Sequence, residues 1–336
     1  MTVIFHTPQN TLWNELAEEF RVSTGADVVR IDRDAPLSEL DADVRERAVA
    51  LVAFAASGEV LDSLPSLRLV AIPMAGINTL AIGPARERGL QVVNAHANGM
   101  WVAERAMALT LGFRGQLVRG DRDLRRGRWH GFAAAEPPTQ SWESLYDTTV
   151  AILGTGSIGQ WTARFLNPFG VRCRGFRRRP GTDGLPEGLF ESVTTDLSEA
   201  LNGASTVVST LPLTETTRGL VDAAALEQMR GAVLVNVGRG EVIDEQALYE
   251  ALHAGTLAGA ALDTWYRYPN PPGSEQLPSE YPFHELDNVL LSPHLGGYTA
   301  AATRASAREV VDAVARWLAD GAPADRGGTV DVEQGY

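Results

Sequence analysis

One cysteine in 336 residues, Cys173, excludes several classes of protein at once. A lone thiol makes no intramolecular disulfide and no cysteine metal cluster. Cys173 lies in the apolar-flanked run 171–176, where a buried strand thiol is expected. Long apolar runs are missing as well, and no stretch approaches the ~20 residues that a membrane span requires. The opening octet, Met1 to Pro8, reads as a short strand and lacks the basic, long-apolar pattern of a signal peptide. Positive charge is scarce: 29 basic against 42 acidic residues give a formal net charge of −13. Such a surface argues against a nucleic-acid partner and favours solubility, while local basic clusters still suit a phosphate. No cluster of ligand residues suggests a metal. These exclusions fit a cytoplasmic enzyme.

What remains is an ordinary globular composition, 44% hydrophobic and 21% charged, in a chain long enough for two domains with their own cores. In the first hundred residues, short apolar runs at 3–5, 27–31, 48–54, 67–72 and 91–94 read as strands, and 12–20 reads as an amphipathic helix. Strands that alternate with helices imply a parallel α/β sheet. A helix-like stretch, 100–117, follows. The stretch 114–145 is basic, then proline-containing at Pro137 and Pro138, and has no clean periodicity. A second α/β unit runs from Thr149 to about Leu291, with strands expected at 150–153, 171–176, 206–210, 232–237, 259–262 and 289–291. A long Ala-rich helix is expected at 298–318.

The second unit opens with a motif. Residues 150–160 run from an apolar strand into Gly154-Thr155-Gly156-Ser157-Ile158-Gly159, which is G-x-G-x-x-G spacing. The three glycines suit a tight turn, close approach of backbone to a pyrophosphate, and close helix–strand packing. The helix that follows directs free N–H groups and its positive end at the phosphates. Gly154, Gly156, Ser157, Ile158 and Gly159 are therefore expected to bind a dinucleotide.

An absence decides which dinucleotide. NAD-specific folds place a carboxylate about 20 residues on, at the end of the second strand, to hold the ribose 2′-hydroxyl. Here that position falls at or near Arg177 in Gly175-Phe176-Arg177-Arg178-Arg179-Pro180, with no acid present. Guanidinium groups pair bidentately with a 2′-phosphate that a carboxylate repels. NADP(H) is expected over NAD(H), with Arg177 and Arg178 as phosphate contacts.

Three later stretches are more specific: Leu211-Pro212-Leu213-Thr214-Glu215-Thr216-Thr217-Arg218-Gly219-Leu220, Val235-Asn236-Val237-Gly238-Arg239-Gly240, and Leu291-Ser292-Pro293-His294-Leu295-Gly296-Gly297. In this order, and with the segment 98–109, the chain resembles the D-isomer-specific 2-hydroxyacid dehydrogenases over nearly its whole length. The resemblance implies two doubly wound parallel-sheet domains, Rossmann-like and flavodoxin-like, with the active site in the cleft between them. The substrate domain would be discontinuous, 1–99 plus 297–336, around a dinucleotide domain at 100–296. The segment 98–109 would open a helix that crosses between domains, and 114–145 would be a dimerisation arm, hence a homodimer.

The resemblance also distributes roles. Leu211 and Pro212 would lie beneath the cofactor, with Val237 and Gly238 beside it, and Asp263 would contact the nicotinamide carboxamide. Arg239 would clamp the carboxylate and carbonyl of a small 2-keto acid through charge-assisted pairs. Backbone N–H groups of the loop at Ala75, Gly76 and Ile77 would hold the same carboxylate. His294 would protonate the ketone oxygen during reduction and take the hydroxyl proton during oxidation. His96 lies at the mouth of the proposed cleft, and Trp101 reads as a packing residue.

One position departs from the pattern. Family members carry a glutamate five residues after the aspartate equivalent to Asp263, paired with the catalytic histidine. This chain has Tyr268 there. A neutral phenol orients an imidazole without stabilising its charge, so a weaker acid dyad of His294 with Tyr268 is expected unless Glu275 or Glu280 comes near. The departure admits two alternatives to a glyoxylate, hydroxypyruvate or aryl-pyruvate reductase. One is oxidation of a compact anion in the manner of formate dehydrogenases. The other is a dinucleotide-sensing protein like the related corepressors.

Overall fold

The structure is a computed structural model that describes residues 1–129, 141–271, 273–321 and 330. It divides into two units: Met1–Asn98 with the chain from Thr299 onward, and Gly99–Tyr298.

In the first unit, β1 (Thr2–His6), β2 (Asp27–Ile31), β3 (Ala48–Ala53), β4 (Leu69–Ile72) and β5 (Gln91–Asn94) form one parallel sheet in the order β2-β1-β3-β4-β5. This is the flavodoxin-like winding. Side chains alternate along each strand, so both faces need cover. Ile4, Leu51, Val70 and Val92 pack into one core, and Val3, Phe5, Val52 and Val93 into another. The helix Thr11–Thr24 covers the second face with Trp13, Leu16, Ala17 and Phe20, a helical stripe that starts at the Asn10 cap and stops at left-handed Gly25. The helix Ala300–Asp320 adds Val310, Val314 and Trp317 to the same core.

The second unit holds β6 (Thr149–Leu153), β7 (Arg172–Phe176), β8 (Ser192–Thr194), β9 (Thr206–Ser209), β10 (Val233–Asn236), β11 (Gly259–Leu262) and β12 (Val289–Leu291). Their order is β12-β11-β10-β9-β6-β7-β8, all parallel. Counted from β6 this is the doubly wound dinucleotide-binding order, and it reverses direction between β6 and β9. Val150, Ile152, Val208 and Val235 face one core, and Ala151, Leu153, Val207 and Leu234 face the other. Cys173 lies within the first of these, and burial pushes its thiol up to about 12.

Several elements differ from the sequence reading. The helix expected at 100–117 is Gly99–Arg114 and stops where Gln116 turns left-handed. A separate helix, Leu117–Leu124, then forms in the stretch that showed no periodicity. Its apolar residues Leu117, Val118 and Leu124 are all exposed, so no buried stripe marked it. The three-residue β8 was also not expected, being too short to alternate. Pro137 and Pro138 lie outside the described residues, and so does Pro272.

Candidate active site

The glycine turn is built as its spacing requires. Gly154 follows β6 with φ +103°, a conformation that suits glycine. A Cβ on Gly159 would stand 1.9 Å from the Gly154 carbonyl oxygen, so only glycine lets this helix approach the strand. At Gly156 an added Cβ meets nothing within 4 Å. Gly156 is also the N-cap of the helix Ser157–Leu166 and provides no side-chain cap. A helix start without a side-chain cap, and with room beside Gly156, fits a pyrophosphate. Ile158 is half-buried against the core beneath, and Ser157 is exposed at the helix start.

After β7, Arg177 is held in place: its N–H donates to the Thr194 carbonyl at 3.0 Å, and its guanidinium reaches the carbonyls of Gly181 and Asp183. Arg178 and Arg179 are exposed beside it. On the other side of the switch point the chain presses against itself. A Cβ on Gly238 would lie 2.5 Å from the Leu211 carbonyl oxygen, so Gly238 brings Leu211, Pro212 and Val237 into one wall. Pro212 is fixed through its carbonyl, which accepts from the Thr217 hydroxyl at 2.7 Å.

Arg239 stands between two glycines because both neighbours are crowded by backbone. A Cβ on Gly240 would come within 2.3 Å of the Trp265 carbonyl oxygen. The Arg239 guanidinium donates to the Gly238 carbonyl at 2.7 Å, and its own carbonyl accepts from Asn236 at 3.0 Å. Burial pulls its pKa down and Tyr268 offsets this, but a guanidinium stays charged throughout the working range.

His294 adopts a left-handed conformation, φ 56°. Histidine visits this region more readily than most residues, yet it still costs about 1–3 kcal/mol and needs support. Asp263, 1% exposed at the end of β11, provides it. One carboxylate oxygen accepts from the Ser292 hydroxyl and from the Leu295 N–H at 3.0 Å. The other accepts from the Gly296 N–H at 2.8 Å. Trp265 holds the Ser292 carbonyl through its indole N–H at 2.8 Å. The loop is thus tied on both sides of His294.

The Tyr268 ring lies 5.5 Å from the His294 ring, tilted by 49°. Its hydroxyl accepts from the Trp265 N–H at 3.1 Å, and desolvation first of all raises its pKa, so the phenol is neutral. His294 has an open face, but desolvation and then Arg239 hold its pKa below the ordinary imidazole value, against a smaller opposing pull from Asp263. Glu280 is engaged elsewhere, in an ion pair with Arg267, and Glu275 is an exposed residue. The structure therefore brings Arg239, His294, Tyr268 and Asp263 together.

In the first unit, Ala75 and Gly76 are half-buried and Ile77 is buried, and the Ala75 carbonyl accepts from Asn94 at 2.6 Å. The turn at His96 is held by Glu309, whose carboxylate accepts the N–H groups of His96 and Ala97 at 2.7 Å each. The sequence reading gave no role to Glu309, Ser292, Trp265 or Arg105. Only Ser292, next to Pro293-His294, had a local signal.

This architecture defines a two-unit α/β oxidoreductase with a dinucleotide site at the switch point of its second sheet. Residues 107–296 match the family model for the D-isomer specific 2-hydroxyacid dehydrogenase NAD binding domain. The chain is 33% identical over 310 residues to the glyoxylate reductase of Pyrococcus furiosus, covering 90% of this chain and 87% of that protein. It is 30% identical over 265 residues to the hydroxypyruvate reductase of Thermotoga maritima, covering 78% and 81%. Among solved structures, the NADPH-dependent glyoxylate/hydroxypyruvate reductase of Sinorhizobium meliloti, in complex with NADP and malonate, aligns with a TM-score of 0.76 at 29% identity, covering 99% of this chain and 97% of that one. The chain belongs to the D-isomer specific 2-hydroxyacid dehydrogenase family and is an NAD(P)-dependent oxidoreductase of that type. No helix among the described residues is long and apolar enough to cross a membrane.

The two glycines of the turn separate stability from binding. Gly159→Ala forces the helix off the strand and lowers stability by roughly 1–3 kcal/mol, read as a lower midpoint in denaturant. Gly156→Ala leaves that midpoint in place and weakens dinucleotide binding, read by nicotinamide fluorescence. Equal effects of the two on stability would contradict the assignment.

Proposed function

We propose that the chain reduces a small 2-keto acid, of the glyoxylate or hydroxypyruvate kind, with NADP(H) preferred over NAD(H). The observation that carries this reading is the juxtaposition of Arg239, a half-buried cation between two glycines, with His294 on a loop tied down by Asp263. We assign the substrate carboxylate to Arg239. A reduced nicotinamide, when bound, supplies hydride to the carbonyl carbon. Arg239 polarises the carbonyl, His294 delivers its proton to the carbonyl oxygen, and the product is the 2-hydroxy acid. Gly154, Gly156, Ser157, Ile158 and Gly159 hold the pyrophosphate in this reading, and Leu211, Pro212, Val237 and Gly238 wall the cofactor. The carboxamide contact of the nicotinamide falls to the Asp263 region.

The NADP(H) preference rests on the arginine turn after β7 and the absence of an acid there. We place the protein in the cytoplasm, and we assign the exposed apolar side chains of the Leu117–Leu124 helix to a second copy of the chain in a homodimer. The family resemblance of the stretch 114–145 to a dimerisation arm supports this reading.

The direct test is oxidation of NADPH and of NADH by the purified protein with glyoxylate, hydroxypyruvate, pyruvate and phenylpyruvate, beside His294→Ala. Turnover that falls roughly 10²–10⁴-fold in the variant is expected; equal turnover would refute the assignment of the acid. For Arg177→Asp, weaker NADPH binding with NADH binding unchanged or improved is expected, and unchanged NADPH affinity would remove Arg177 from the phosphate site. The pH profile tests Tyr268. Reduction needs His294 protonated, so activity falls as pH rises through a pKa held below the ordinary imidazole value of about 6.5. A carboxylate at position 268 favours the imidazolium, so Tyr268→Glu moves that falling limb upward by roughly 1–3 units. An unmoved or lowered limb contradicts the dyad.

A further inference from the structure

Asp263 is 1% exposed, and a buried carboxylate persists only when it is paired and hydrogen-bonded. Its hydrogen bonds come from the His294 loop. Its cation comes from Arg105, on the helix Gly99–Arg114, whose Nε lies 3.8 Å from Oδ1. The same guanidinium donates through Nη2 to the Ser292 hydroxyl at 2.7 Å, and that hydroxyl donates to Asp263. The order of these bonds is forced. A guanidinium only donates and an ionised carboxylate only accepts. The hydroxyl between them therefore has one orientation, with its hydrogen on Asp263.

We propose that Arg105 is a positioning residue that acts through Ser292 and Asp263 to hold His294 in its left-handed conformation beside Arg239 and Tyr268. This deepens the reading that His294 is the acid, and it rests on that reading. Asp263 grips residues two before, one after and two after His294, so the conformation of the histidine follows from where that carboxylate sits. Without Arg105, the hydroxyl is free to turn and the carboxylate loses its paired cation. The loop then relaxes and the imidazole gains water.

The groups that face His294 are Arg239, Asp263 and Tyr268. Relaxation of the loop relieves the desolvation that holds the imidazole down. The His294 titration midpoint therefore moves upward, toward the ordinary imidazole value.

The test compares Arg105→Met, Arg105→Lys, Ser292→Ala and the double variant Arg105→Met/Ser292→Ala in the full chain. Turnover of glyoxylate with NADPH, NADPH affinity, and the imidazole resonances of the six histidines are measured, with His294 assigned by its loss in His294→Ala. For Arg105→Met, kcat falls roughly 10- to 100-fold with NADPH affinity nearly unchanged. The His294 midpoint alone among the histidines rises, and Arg105→Lys recovers most of both. The double variant loses less than the product of the two single losses, because both residues act on the same carboxylate. An unmoved His294 midpoint in Arg105→Met, or losses that multiply in the double variant, overturns the proposal. Turnover that survives His294→Ala, or no turnover by the parent, defeats the functional reading instead; the His294 midpoint then still decides the positioning role by itself.

Discussion

Asp263 is buried at the end of β11, and its two oxygens accept from three groups of the loop that carries His294. A carboxylate placed there does what no neutral residue can: it accepts several donors at once and tolerates burial only while all of them stay in place. The left-handed turn at His294, Ser292 at the end of β12 and the approach of Gly296 all follow from this anchor. A Cβ on Gly296 would stand 3.0 Å from the carboxylate, so the glycine is part of the fit. The chemistry of the site rests on this buried electrostatic contact, and the sheet supplies only the platform.

The platform itself follows from pattern. Runs of Val, Ile, Leu and Ala covered on both faces give parallel strands, and their order brings the carboxyl ends of β6, β9, β10, β11 and β12 to one edge. Backbone crowding then selects glycine where two segments touch, at Gly159, Gly238 and Gly240. The sequence motifs are therefore records of close contacts as much as of ligand binding. Gly-Arg-Gly around Arg239 is the clearest instance, because each glycine is required by a carbonyl from a different loop.

Much of this was legible without coordinates. The strands 27–31, 91–94, 259–262 and 289–291 lie where their apolar runs placed them, and the glycine turn, Arg239 and His294 stood out by context. Other features stayed hidden for physical reasons. The Leu117–Leu124 helix exposes its apolar side chains, so it lacks the buried stripe from which helices are read. Arg105 looks like any surface arginine on a helix; its meaning depends on Ser292, 187 positions away, which the fold brings to it. Glu309 is hidden in the same way, 213 positions from the turn it caps. Long-range polar contacts leave no periodic trace.

Tyr268 stands where the family resemblance implies a glutamate. The ring keeps its place against His294, and its hydroxyl is held by the Trp265 N–H. What is missing is the negative charge that would raise the imidazole pKa. On the proposed reading His294 is the acid, and its pKa is held low.

The most direct measurement is the configuration of the glycerate formed from hydroxypyruvate with NADPH. On the proposed reading Arg239 fixes the carboxylate and His294 the oxygen, which leaves one face of the carbonyl open to hydride. D-glycerate alone is the predicted product. L-glycerate, a mixture of both, or no glycerate would contradict the account.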